Sequence, residues 1–196
     1  MILYIIIPLF FIAYNPVAEH ERIGAEVSLS YAGIKDFPPS IGGGIDIIFI
    51  TGEKLGGSLG FEILKNKGES FYKKNLPGTE LESALSSRYI TITGFELDYI
   101  LVQKKLSPFT GFGIHWLYFH EQSKYVYTSP GWIITEWRNY EGNGYCIKPT
   151  LGLRYISSPS FAMEGRMEIL LGSFFYPPLN RRIEIKGINI NLGIRL

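Results

Sequence analysis

Hydrophobic and polar positions alternate along most of this chain, and nowhere more cleanly than at its end. Ile188, Ile190, Leu192, Ile194 and Leu196 fall on one parity; Gly187, Asn189, Asn191, Gly193 and Arg195 fall on the other. A period of two sorts residues onto the two faces of a β-strand. One face is wholly aliphatic, the other small or polar. In a soluble sheet the aliphatic face packs on a core; in a membrane barrel it turns outward to lipid.

The same rhythm recurs upstream. Over 23–32, Ala25, Val27, Leu29 and Tyr31 oppose Glu26, Ser28 and Ser30. Further strands are expected at about 41–50, 55–64, 88–102, 108–119, 145–156 and 161–174, with the final ten residues as the eighth. The connections near 51–54, 103–107 and 157–160 are short. Those at 33–40, 65–87, 120–144 and 176–186 are longer. Thr79-Glu80-Leu81-Glu82 has the spacing of a capping box and predicts one or two helical turns inside the second of these loops. Short turns and chain ends on one side, longer loops on the other, is the plan of an all-β, eight-stranded antiparallel up-and-down transmembrane β-barrel. Greek-key sandwiches do not sort their loops this way.

Composition sharpens this picture. The 196 residues suffice for one domain, and 19 basic against 18 acidic side chains give a net charge of +1, so nothing points to nucleic acid. Twenty-two glycines and 15% aromatics favour strands and turns. A mean hydropathy of only +0.10 suits a barrel, which exposes apolar residues at alternate positions. The uncharged apolar run at 2–14 is too short to span a bilayer and reads as the core of a signal peptide over 1–18, cut after Ala18 and followed by a single barrel domain over 19–196. The lone Cys146 forms no internal disulfide and reads as a small semi-buried residue.

The polar face collects Glu26, Asp46, Glu62, Glu96, Asp98, Glu164 and Glu168 with Lys148, Arg154, Arg166 and Arg195. Glycines at 44, 60, 111, 113, 152 and 193 share it. Small residues beside charges suit a narrow interior, and an eight-stranded barrel is just wide enough for side chains to fill. Buried charges must pair, so these eleven residues are expected to form an interior, structural charge network. On the apolar face Tyr31, Tyr89, Tyr99, Tyr118, Tyr155 and Phe161 lie near strand ends, as in the aromatic girdles at the bilayer interfaces. No phosphate loop, dinucleotide fingerprint, zinc motif or nucleophile elbow occurs, and His20, His115 and His120 are scattered, so neither cofactor nor metal is expected.

With these residues in view, the chain resembles the small eight-stranded outer-membrane barrels of the OmpA-like and OmpX-like group. Pro108-Phe109-Thr110-Gly111-Phe112-Gly113 is similar to a Pro-aromatic-x-Gly-x-Gly strand common there, and Lys148-Pro149-Thr150-Leu151-Gly152-Leu153-Arg154-Tyr155 to the strand that follows it. The final strand resembles the signal read by the barrel-insertion machinery, with Leu196 where Phe or Trp is usual. The resemblance implies an outer-membrane protein of a Gram-negative-type envelope, in contact with outer-membrane lipid and lipopolysaccharide. It implies a non-enzymatic barrel whose loops, with Phe71, Tyr72, Trp132 and Trp137, meet an external ligand the sequence does not name. Two alternatives stand beside it. One is a lipid A-modifying enzyme, for which lipid A deacylases place His and Ser two apart on a strand, whereas His120 and Ser123 here are three apart. The other is a secreted lipocalin-like binder, which requires an apolar interior.

Overall fold

The computed structural model describes residues 21–35, 39–51, 54–66, 71–158, 161–176 and 180–196. The segment expected to be a signal peptide lies outside them. Nine strands follow in order: β1 (Glu21–Ile34), β2 (Ser40–Thr51), β3 (Leu55–Asn66), β4 (Phe71–Leu76), β5 (Thr79–Ile100), β6 (Leu106–Ser129), β7 (Trp132–Ser158), β8 (Phe161–Tyr176) and β9 (Arg181–Arg195).

Every pairing is antiparallel, and eight of the strands close a ring in the order β3-β2-β1-β9-β8-β7-β6-β5, with β5 returning to β3. Closure has a fixed stagger. Stepping around the hydrogen-bonded register from Ala32 leads through Asn189, Glu168, Thr150, Gly111, Asp98, Gly56 and Ile50 to Arg22, ten residues back along β1. Such a stagger on eight strands sets a tilt of about 45° to the barrel axis and an interior that side chains can fill. The expected eight-stranded up-and-down barrel is therefore the observed one.

The longer connections differ from expectation. Thr79-Glu80-Leu81-Glu82 starts no helix; it opens β5, which pairs with the short β4 from Leu76↔Thr79 to Phe71↔Ala84. The capping-box spacing is shared by an exposed strand with alternating Glu80 and Glu82, and the cross-strand Lys73 takes both, at 3.0 and 3.5 Å. The expected loop over 120–144 is instead a continuous β6–β7 hairpin turned by Pro130-Gly131, with Gly131 at φ 92°. Proline at the first central position and a left-handed glycine at the second are the demands of a type II turn. The loop expected over 176–186 is shorter, because β9 begins at Arg181.

Which face points inward is settled by burial. Along β9, Asn189, Asn191 and Arg195 are buried, while Ile188, Ile190, Leu192 and Ile194 are exposed, Leu192 to 67%. The same sense holds around the ring: Leu29, Ile41, Leu59, Phe95, Ile114, Leu151 and Met163 are exposed, and the charged residues are inside. This inverts a soluble barrel, including the lipocalin type. A continuous apolar belt of this size is covered by hydrocarbon, not water.

The interior has two levels. The half nearer the short turns is polar. Above it sits an apolar plug of Ile90, Ile92, Leu117, Phe119, Cys146, Leu170, Phe174 and Ile185 with Ala32, Ile34 and Leu64. Phe119 stacks on Phe174 at 4.7 Å, and Tyr176 meets Phe119 edge-on. Near the short-turn end, Phe109 lies across the lumen beneath the Arg154 guanidinium, at 5.1 Å. Its ring occupies the space a side chain at the paired Gly152 would need. Gly152→Ala is expected to destabilise the barrel by about 1–3 kcal/mol through overpacking. Gly33→Ala, where nothing lies within 4 Å of an added Cβ, is the neutral control. Urea midpoints of the two variants in lipid vesicles check this.

Candidate functional site

Two regions carry the chemistry: the polar half of the lumen and the sheet that rises above the ring. In the lumen, alternate residues of neighbouring strands are brought to one axis by the inward parity. Arg166 lies at the centre. It donates to Glu26 at 2.8 Å and to Glu164, and its guanidinium is 3.7 Å from Glu96. Arg154 donates to Glu164 at 2.6 Å and lies 3.7 Å from Asp98. Arg195 reaches both Glu164 at 3.1 Å and Glu26 at 3.3 Å. One level higher, Lys148 donates to Glu168 at 3.0 Å and lies 3.6 Å from Glu62. Asn189 bridges those two carboxylates at 2.9 and 3.0 Å, and Thr150 donates to Glu96 at 2.7 Å. Asp46 is only half-buried, in room left by Gly60, whose missing side chain would meet its carboxylate.

Ten of the eleven polar-face residues singled out in the sequence are thus joined by these contacts, and Asp46 lines the same small cavity as Glu62, Glu96, Lys148, Arg166 and Glu168. His115 also lines it, inward-facing and 4% exposed, with Nε2 buried and without a hydrogen-bond partner. The cavity is 20 Å³, about the room one water needs. Among the described residues, no group of three or more His, Cys, Asp or Glu has the geometry to hold a metal. Arginine forks and carboxylates interlocked in this way fill the lumen and brace strands far apart in sequence.

The second region was not evident from the pattern of loops. Above the ring, β4, the first half of β5, the second half of β6 and the first half of β7 continue as one projecting sheet. From Tyr118 to Ser129, β6 rises on the order of 25 Å beyond the level of the upper aromatics. At the base of this sheet a polar cluster caps the apolar plug. Arg88 donates to Glu121 at 2.6 Å, and Ser123 and Tyr176 donate to its other oxygen at 3.1 and 3.0 Å. Higher up, the Tyr125 and Tyr140 hydroxyls meet at 3.1 Å, and burial together with that contact pushes Tyr125 up to about 12. Arg138 covers the Tyr125 ring at 4.7 Å and donates to Glu136, holding that carboxyl below its usual range. At the tip, Trp132, Ile133 and Ile134 are exposed, Ile133 to 70%, and Trp137, paired with Lys124, is exposed lower on the same strand. The side chains of Phe71 and Tyr72 lie outside the described residues.

The residues weighed for an enzyme are separated by the same parity. Ser123 faces inward, buried against Glu121, whereas His120 faces outward, 3.5 Å from Glu141 and beside the Tyr89 ring. The tyrosines follow two levels. Tyr99 and Tyr155 are exposed near the short turns, and Tyr31, Tyr118 and Tyr145 are exposed about one bilayer crossing above them.

No family model and no curated protein matches the chain. Solved structures of similar layout are outer-membrane proteins. Ail, the attachment invasion locus protein of Yersinia pestis, solved with the heparin analogue sucrose octasulfate, is 12% identical, with 91% of this chain and 100% of Ail covered and a TM-score of 0.49. A major outer membrane protein from Thermus thermophilus is 13% identical, with 87% and 98% covered and a TM-score of 0.49. Neisserial surface protein A is 12% identical, with 89% and 94% covered and a TM-score of 0.41. By its own closed register and its inverted burial, the chain is an eight-stranded antiparallel up-and-down β-barrel with its apolar face outward.

Proposed function

We propose that this protein is a non-enzymatic outer-membrane β-barrel. Its interior is a structural plug of paired charges and apolar side chains, and its projecting sheet is the part that meets partners outside the cell. The observation that carries this reading is the inverted burial, an apolar belt outside and interlocked Arg–Glu pairs inside, below a sheet that exposes Trp132, Ile133, Ile134 and Trp137. Exposed aromatics on a rigid hairpin are contact residues in the manner of interface anchors. The belt contacts outer-membrane lipid, lipopolysaccharide included, and the last strand is the element engaged by the barrel-insertion machinery.

The test has four parts. In an outer-membrane fraction the protein runs at a different position on a gel before and after boiling; a soluble band without a shift overturns the reading. In planar bilayers the intact protein carries no ion current, because the plug closes the lumen. Replacing residues 123–138 with a two-residue turn keeps the boiling shift and abolishes binding of whole cells to surfaces that the parent protein engages. Lipid A acylation stays the same with and without the protein; a lost acyl chain would instead establish the enzyme.

A further inference from the structure

The outward column of β9 changes character abruptly. Leu196, Ile194, Leu192, Ile190 and Ile188 are followed, on the same parity, by Lys186, Glu184 and Arg182, all exposed, while the intervening Ile185 is 2% exposed and points inward. Ten residues separate Leu196 from Lys186. At about 3.3 Å per residue and a tilt near 45° they climb roughly 23 Å, the height of a barrel's apolar band. Lys186 and Arg182 therefore stand where hydrocarbon gives way to headgroups.

At that level Lys35, at the end of β1, bonds through its backbone to Lys186 at 2.8 Å. Lys35, Arg181, Arg182, Ile183, Glu184 and Lys186 enclose an open groove of 180 Å³. Among the described residues that line it the carboxylate is Glu184, 2.9 Å from Lys186, which with Lys35 holds that carboxyl below its usual range. Among the described residues, four cations thus line the groove beside one acid. Elsewhere above the ring, Lys73, Arg88 and Arg138 are each matched by a carboxylate at 3.0, 2.6 and 2.9 Å. Arg182 also lies 5.8 Å over the outward Tyr145 ring, the amphipathic pairing of a bilayer interface. Guanidinium forks beside ammonium groups in a concave site are made for phosphate oxygens.

From this geometry we infer that the groove of Lys35, Arg181, Arg182 and Lys186 binds the phosphorylated headgroup of a glycolipid in the outer leaflet that surrounds the barrel. The inference rests on the outer-membrane reading and adds the site to it. The lipid is chosen over a soluble anion because Lys186 and Arg182 continue the lipid-facing column.

The full chain, refolded in detergent, is titrated with lipid A and with lipid A stripped of its phosphates, and adducts are counted by native mass spectrometry. The parent protein retains the phosphorylated form preferentially. R182Q/K186Q weakens that retention by roughly thirtyfold, at about fivefold per surface cation. K35Q/R181Q acts in the same direction, and K104Q/K105Q at the opposite rim leaves it unchanged. Equal retention of both lipids, unchanged retention in the two groove variants, or inorganic phosphate binding as tightly as lipid A overturns the inference. The boiling shift separates the two levels: loss of lipid binding in a protein that still shifts refutes the groove alone, whereas a parent protein with no shift refutes the membrane barrel.

Discussion

Arg166→Met is expected to lower the unfolding free energy of the barrel by about 3–5 kcal/mol, the cost of removing one partner from a buried ion pair. Arg166 is 4% exposed and engages Glu26, Glu164 and Glu96 together. Methionine fills most of the stem's volume, so the change isolates charge from packing. Glu26 and Glu164 keep Arg195 at 3.3 and 3.1 Å, whereas Glu96 keeps only its hydroxyl donor, Thr150. Three carboxylates then crowd a dry lumen with too few cations. Adding Glu164→Gln removes one of them and recovers part of the loss, because contacting residues couple non-additively. Urea titration in lipid vesicles, followed by tryptophan fluorescence, reads both midpoints. Arg138→Ala on the exposed sheet leaves the midpoint where it was. An unchanged midpoint for Arg166→Met would mean that the lumen is hydrated enough to solvate its charges, and the structural role of the network would fall.

The second large effect is on the outside. Leu192 lies near the middle of the climb from Leu196 to Lys186 and is 67% exposed. Leu192→Arg is expected to cost about 2–4 kcal/mol, the penalty for a cation on the lipid face at the midplane. Ile133→Arg, at an equally exposed isoleucine on the hairpin tip, stays within about 0.5 kcal/mol, as for an ordinary surface change. Both positions are exposed and apolar, so only the surrounding medium separates them. Equal midpoints for the two variants would place both in water and remove the membrane belt.

The alternation legible in the sequence carries directly into the barrel. Glu26, Glu62, Glu96, Glu164 and Arg195 are inside because each shares a parity with small or polar neighbours, and a strand has only two faces. The projecting sheet was legible only in part. Leu76-Pro77-Gly78-Thr79 and Ser129-Pro130-Gly131-Trp132 both contain the Pro-Gly pair that marks a turn, and both turn a hairpin, with left-handed glycines at φ 72° and 92°. Their flanks mix polar and apolar residues on both faces, since the strands leave the membrane there, so the apolar-polar contrast that identifies a lipid-facing strand fades. The capping box at Thr79 then competes as a local signal and is overruled by pairing with β4 and β6. The apolar plug has a related cause. Leu117, Phe119, Leu170 and Phe174 continue the inward parity of charged residues, and from the sequence an apolar residue among apolar neighbours carries no label for inside or outside.

By itself the sequence determined the number of lipid-crossing strands, their antiparallel order and the polar face, because all three follow from a period of two and from where the turn residues fall. The tertiary structure decided what distance in sequence hides. Its ten-residue stagger selected which carboxylate meets which guanidinium, joining Glu26 to Arg166 and Glu62 to Asn189 across well over a hundred residues. It also brought Lys35 beside Lys186 at one height above the apolar belt. Pairing partners and heights depend on closure of the whole ring, a global condition that no local pattern encodes.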